Sequence, residues 1–533
     1  MSSEASPSLP MVERAKLRLD LVVLGLLALG AALQIAISLP VHRYAAEADA
    51  VITGMQAIDI LHGARPIFFV GLRIGALGSY LTAGIFALLG PSRLALALYP
   101  ITLGILTVVC QWLFWREGLP RRAAVLALAF VVLPSPSFLF WTYMPNGYPP
   151  VPLLCAAILW LAARLVRTGP TDRWGALGFG LAAGLAWWQS PQTLFCLGPA
   201  ALWLAVKRRE VLRDWKFLSL VLASALLGAA PWIGYNIVHP LASFQVYGVR
   251  PARSMAAIVD NIRYFVTYSL PEFAAPTVES LVFSLTDAPS RLLPWLRPIV
   301  LLAYASAAGL FVFRFRRLDE PGDERRLASP WLLIVGVLLA TVVFNIFSEA
   351  GQMRGYTVRY LMPANLVIPG VLAAGCAFAA RRSRALAILL AASVLLFNVA
   401  SYHWPGRSTR QTWTREMEND QQLLADLDAR GVEVVVGEYW ATYPINFWSA
   451  GRVLAIPCAY DFVDRQALLP ANVRRWAILM SKESQIDAWA ERAAVSGQRE
   501  TLAPRYSFLA IREGSLPTDS RIALQELLAT CSH

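Results

Sequence analysis

The sequence predicts an α-helical polytopic membrane protein of about eleven spans with a small α/β module at its C-terminal end. Three observations carry that prediction. The 533 residues are 57% hydrophobic and only 15% charged, with a mean hydropathy of +0.51, whereas soluble domains carry about 25% charged residues. The apolar residues fall in runs long enough to cross a bilayer core as helices. The Lys and Arg residues sit in short clusters between those runs. The formal charge of +12 therefore reads as a positive-inside pattern and excludes a nucleic-acid patch.

The first run, LDLVVLGLLALGAALQIAISL (19–39), has no clear small-residue cleavage site after it and is read as a span, not a signal peptide. Spans are expected near 18–40, 93–114, 122–140, 150–167, 174–189, 192–206, 217–237, 296–313, 330–348, 362–380 and 384–402. The basic clusters around Arg14, Arg121, Arg167, Arg208, Arg316 and Arg382 then share one side, the cytoplasmic one. The run RIGALGSYLTAGIFALLG (73–90) dissents, because a full span there would push every later cluster outside. It is read as an interfacial or re-entrant helix of the first outer loop. The N-terminus is then inside and the C-terminus outside.

The other face collects the unusual residues: 41–92, the turn TYMPNGYPP (142–150), WWQSPQ (187–192), the loop 239–295, and SEAGQMRGYTVRYLMP (348–363). Long irregular outer loops over short inner ones suggest an enzyme at the outer leaflet. A transporter would show charges buried within spans and repeated halves, and neither is visible. From Trp404 the composition becomes that of a soluble module, so 1–403 is read as the membrane domain and 404–533 as an extracytoplasmic α/β domain. In it, 414–431 reads as a helix with Met417, Leu424 and Leu427 on one face. VEVVVGEYW (432–440), RVLAIP, WAILMS and YSFLAI read as strands, and KESQIDAWAERAAVSG as a helix.

Two carboxylates, Glu47 and Asp49, stand where the chain leaves its first span. One reading is a solvated helix start, since acidic residues favour the first helical turn. The other is a base held beside the lipid surface. On a helix, Asp49, Thr53 and Gln56 share one face and would form a polar groove floor. Arg354 and Arg359 open a later span. They are either bidentate phosphate ligands or snorkelling anchors beside Tyr356 and Tyr360. Tyr148 either lines a site or is an interfacial tyrosine in a Gly-Pro turn; Gln189 ends a span beside Trp187 and Trp188. No His or Cys spacing implies a metal.

The first-loop run DAVITGMQAIDILHGARPIFFVG with GSYLTAGIFALLGPS, together with NGYP (146–149), WWQSPQ, VRYLMP (358–363) and EYWATY (438–443), resembles polytopic GT-C-fold glycosyltransferases. The nearest relatives look like the bacterial branch related to protein O-mannosyltransferases and lipid A aminoarabinose transferases. The resemblance implies a GT-C-like membrane domain and a lipid-linked donor, a polyprenyl-phosphate sugar. It also implies transfer to an acceptor hydroxyl on the outer face, with Asp49 at the family's general-base position. Glu47, Thr53, Gln56, Tyr148, Gln189, Arg354, Arg359 and Tyr360 are the expected substrate-binding residues. Three positions where the family carries acids hold Ala50, Gly78 and Pro150 here. That departure keeps a second reading open, a catalytically degenerate relative that binds lipid-linked glycans or scaffolds a partner enzyme. The donor sugar and the acceptor, whether glycan, lipid or protein, are not specified by the sequence.

Overall fold

The structure, a computed structural model, describes residues 11–44, 48–70, 74–240, 242–247, 252, 254–276, 293–314, 330–352, 357–402, 407–437, 439–449, 451–457, 475–481, 498–500 and 506–513. The chain begins with α1 (Met11–Tyr44) and α2 (Ala48–Leu61). A short antiparallel pair, β1 (Phe68–Val70) and β2 (Ile74–Gly75), leads into α3 (Leu77–Leu89). The bundle continues through α4 (Arg93–Gly118), α5 (Arg121–Val132), α6 (Pro136–Tyr143), α7 (Pro150–Thr168), α8 (Arg173–Gln189), α9 (Leu194–Lys207) and α10 (Trp215–Val238). Three short helices follow, α11 (Ala242–Tyr247), α12 (Met255–Tyr264) and α13 (Leu270–Ala274). The bundle closes with α14 (Leu293–Arg314), α15 (Trp331–Phe347), α16 (Met362–Asn365), α17 (Ile368–Ala380) and α18 (Arg384–Ser401).

Among the described residues, six helices are long and apolar enough to cross a membrane: α1, α4, α7, α10, α14 and α18. A seventh crossing arises if 358–365 and α17, bent by 57° at their break, count as one. The other expected spans are held by shorter elements. The 122–140 span is broken into α5 and α6 at Pro134, where a proline removes a donor and Ser135 caps the new helix. Carbonyls freed at such a break must be satisfied away from lipid. Asn398 donates to Leu133 O (2.8 Å) and Tyr402 to Pro134 O (2.7 Å), both from the C-terminal end of α18. The run 73–90 yields only the thirteen residues of α3, about 20 Å of helix, which is short of a bilayer core.

Close packing in lipid comes from small residues, because no hydrophobic drive acts between helices there. A Cβ at Gly184 would lie 2.0 Å from Ala225 O, and one at Gly180 2.2 Å from Val221 O. Only glycine lets α8 and α10 approach this closely. At the other end of α8 the basic connections tie to carboxylates: Arg164 to Asp172 (2.6 Å) and Arg167 to Glu117 (2.7 Å). The basic end of the bundle is thereby fixed, opposite the end that carries α2, α3 and the turn before α7.

After the bundle, α19 (Arg407–Ala429) precedes a five-stranded sheet of order β4-β3-β5-β7-β6, with β3 (Val434–Gly437), β4 (Leu454–Pro457), β5 (Arg475–Ser481), β6 (Gln498–Glu500) and β7 (Tyr506–Glu513). β3 is parallel to β4 and β5, and β7 is antiparallel to β5 and β6. Two expectations change here. The expected strand 432–440 stops at Gly437, and Tyr439–Trp448 is a helix, α20. Its aromatics Tyr439, Tyr443 and Phe447 recur every four residues, a helical stripe. On α19 the buried leucines are Leu423 and Leu427, with Leu424 only partly covered. The expected helix at 482–497 and the side chain of Met417 lie outside the described residues.

Candidate functional site

Asp49 sits in the first turn of α2. α2 is clamped from three sides. Its buried Val51, Ile52 and Met55 join Phe69, Phe86, Tyr443 and Phe447 in one apolar cluster. Gln56 donates to Phe68 O (3.2 Å) and Phe69 O (3.0 Å), and its carbonyl accepts from Ser79 Oγ (2.7 Å). Gln56 therefore ties β1 and α3 to α2 and does not face a groove. Thr53, fully buried, donates back to Asp49 O (3.4 Å) within its own helix. The expected polar groove floor is thus not formed by these two residues. Helical spacing reports a face, not what packs against it, and here the hairpin covers that face.

The turn before α7 is fixed by its own polar groups. Asn146 Oδ1 accepts from Tyr148 N (3.0 Å), Tyr99 Oη donates to Asn146 O (2.9 Å), and Gln189 Nε2 donates to Gly147 O (2.7 Å). Gln189, completely buried, is therefore a brace for the turn that carries Tyr148. A Cβ at Gly78 would lie 2.3 Å from Tyr99 Oη, so the tyrosine fills the space where a larger residue at 78 would reach. Across from the turn, Gln192 Nε2 donates to Arg359 O (2.6 Å) and holds the short helical turn Thr357–Leu361. Arg359 Nη2 donates to Tyr360 Oη (2.9 Å).

These elements bring Asp49, Tyr148, Arg359 and Tyr360 to one place. Burial raises the Asp49 carboxyl above its ordinary range, opposed by a hydrogen bond from Tyr439 and by the positive charge of Arg359. Burial also raises the Tyr148 phenol. Arg359 lowers it through its charge and a hydrogen bond, while Tyr360 and the Asp49 charge raise it. Among the described residues Asp49 makes no ion pair; its Oδ1 accepts the hydroxyl of Tyr439, at the start of α20. Tyr439 was hidden from sequence reasoning by the strand assignment of 432–440, although its four-residue spacing with Tyr443 and Phe447 carried the signal. Glu47 and Arg354 lie outside the described residues. No group of three His, Cys, Asp or Glu side chains among the described residues is placed to hold a metal ion.

A buried carboxylate without an ion pair among the described residues, held by one phenol beside a guanidinium, can take a proton from a hydroxyl while a neighbouring cation holds an anionic group. The bundle around it is that of a multi-pass membrane protein with a GT-C fold. Residues 75–235 match the dolichyl-phosphate-mannose-protein mannosyltransferase family. The chain is similar to ArnT from Cupriavidus metallidurans bound to undecaprenyl phosphate. The TM-score is 0.55 at 12% identity, covering 92% of this chain and 97% of that one. The apo state of the same ArnT gives a TM-score of 0.50 at 14% identity, covering 93% and 98%. At these identities the likeness is one of fold. No curated protein matches the sequence.

Proposed function

We propose that the protein is an integral-membrane, inverting glycosyltransferase. In this reading it moves a sugar from a polyprenyl-phosphate carrier to an acceptor hydroxyl at the outer face, with its N-terminus cytoplasmic. The observation that carries the reading is the meeting of Asp49 with Arg359, Tyr148 and Tyr360 at the end of the bundle opposite the basic connections. The matched family and the fold shared with a carrier-bound ArnT support it.

The residues divide the work. Asp49 takes the proton of the acceptor hydroxyl, whose oxygen then forms the bond to the anomeric carbon. The bond from that carbon to the carrier phosphate breaks, and the phosphate leaves with the electron pair. Arg359 supports the leaving phosphate by charge and by its fork of donors. No protonated acid is required, because phosphate leaves readily once its charge is held. Burial makes Asp49 a stronger base than an exposed aspartate, at the cost of needing a higher pH to ionise. Tyr148 and Tyr360 line the sugar side. Residues 404–533 would act as a lid or acceptor platform.

A second reading, a relative that binds lipid-linked glycans without turnover, draws on Tyr99 filling the space at Gly78. The test is to incubate the purified protein in nanodiscs with a panel of polyprenyl-phosphate sugars and an acceptor mixture. Free carrier phosphate is then measured. Release from at least one donor is expected; carrier binding with no release from any donor would favour the second reading.

A further inference from the structure

α20 is seated on α2 by an aromatic contact with no slack. A Cβ at Gly54 would lie 2.5 Å from the Phe447 ring, so only glycine admits it. Tyr443 is fully buried in the same cluster, and the Arg93 guanidinium at the start of α4 stacks 3.9 Å from the Trp448 ring centroid. The seat fixes the first residue of α20. The Tyr439 ring packs edge-on against Tyr443, with centroids 5.0 Å apart, and its hydroxyl donates to Asp49 Oδ1. Two groups that are 390 positions apart in the chain are thus joined by a side-chain hydrogen bond at the carboxylate itself.

We infer that Tyr439 is a positioning residue that makes the C-terminal segment part of the catalytic site: it holds one carboxylate oxygen of Asp49 so that the other faces the acceptor hydroxyl. The inference rests on the reading of Asp49 as the base. A donor on Oδ1 removes the free rotation of the carboxylate and favours its charged form, against the burial that disfavours it. Among the described residues, the groups facing Asp49 are Tyr439 from α20 and Arg359 from the turn Thr357–Leu361, with Tyr148 and Tyr360 beside them. Of these only Tyr439 is a neutral donor delivered by the C-terminal segment. A shift of α20 would therefore change the protonation of Asp49 without touching the carrier side.

The experiment is an infrared titration of the full chain in nanodiscs. The protonated-carboxyl band of Asp49 is assigned by its loss in Asp49→Asn. Tyr439→Phe keeps the ring and its packing but removes the donor. It should move the midpoint of that band upward by about one pH unit, the scale expected for a hydrogen bond to a charged group, with affinity for polyprenyl phosphate unchanged. Gly54→Ala, which pushes Phe447 and with it α20, should move the midpoint in the same direction. An unmoved midpoint in a folded, monodisperse Tyr439→Phe protein would overturn the inference. Faster sugar release in that variant would do so too, because Tyr439 would then be a plug. The titration needs no turnover. A wild-type protein that releases no sugar would refute the glycosyltransferase reading while leaving the Tyr439 result readable.

Discussion

Two aspartates at the starts of two helices, Asp172 before α8 and Asp49 in α2, have opposite environments. Asp172 accepts from Arg164 Nε (2.6 Å), Arg164 Nη2 (3.3 Å), Thr168 Oγ1 (3.2 Å) and Gly175 N (2.9 Å). The Arg164 hydrogen bond holds its carboxyl below the ordinary range, against partial burial and with help from Gly175. Asp49 accepts one hydroxyl and has a cation nearby but no ion pair among the described residues, and burial pushes its carboxyl up. The preference of acidic residues for helix starts suits Asp172 as the cap of α8, where Arg164 does most to hold its charge. It explains the position of Asp49 but not its desolvation. A carboxylate whose lone pairs are all engaged is a fastener, and one left buried and underused is poised for chemistry.

The largest expected difference is in turnover. Asp49→Asn should cut sugar release by about 10²–10⁴-fold, the usual contribution of a positioned base, while Asp172→Asn should leave release unchanged. Comparable losses in both variants would erase the contrast. Next in size is Arg359→Gln, which removes a charged donor from the carrier phosphate. It should weaken polyprenyl-phosphate binding by roughly 10–100-fold, corresponding to about 1.5–3 kcal/mol for a charged hydrogen bond. Isothermal titration on nanodisc samples measures it; an unchanged affinity would return Arg359 to the role of a lipid-surface anchor.

A smaller effect sharpens the comparison by sign. The folded Asp172 carboxyl lies below its unfolded value, so its stabilisation is present above the unfolded pKa and lost as pH falls through the folded one. Asp172→Ala should therefore lower thermal stability at neutral pH, by about 0.5–2 kcal/mol from the lost helix cap alone, and Asp172→Asn, which can still cap α8, should lose less. Asp49 runs the other way. Its folded pKa is raised, so ionising it costs stability as pH rises through the interval between the unfolded and folded values. Asp49→Asn should leave the melting temperature at neutral pH unchanged or higher, and the difference from wild type should vanish in acid. A drop in melting temperature would mean that Asp49, too, is a fastener.

Much of the bundle was legible because hydropathy and helix length are tied by the bilayer. The expected spans 150–167 and 384–402 are α7 (Pro150–Thr168) and α18 (Arg384–Ser401). Breaks were harder to see. The 57° bend between 358–365 and α17 lies in a run that hydropathy reads as one span although Pro363 and Pro369 flank the break, and Pro134 likewise marks the break between α5 and α6. At the site, Asp49, Tyr148, Arg359 and Tyr360 stood out because each is a polar or charged group at the edge of an apolar run. Gln56 and Gln189 stood out for the same reason, but their amide nitrogens donate to backbone carbonyls that only the tertiary structure brings near. Tyr439 could not be paired with Asp49 from the sequence, since no local pattern reports a contact across 390 positions.

The most direct test measures carrier binding and sugar release side by side on the same nanodisc preparations of wild type and Asp49→Asn. Equal binding with release only by the wild type is the predicted result. Release at the wild-type rate by Asp49→Asn would contradict the assignment of Asp49 as the base.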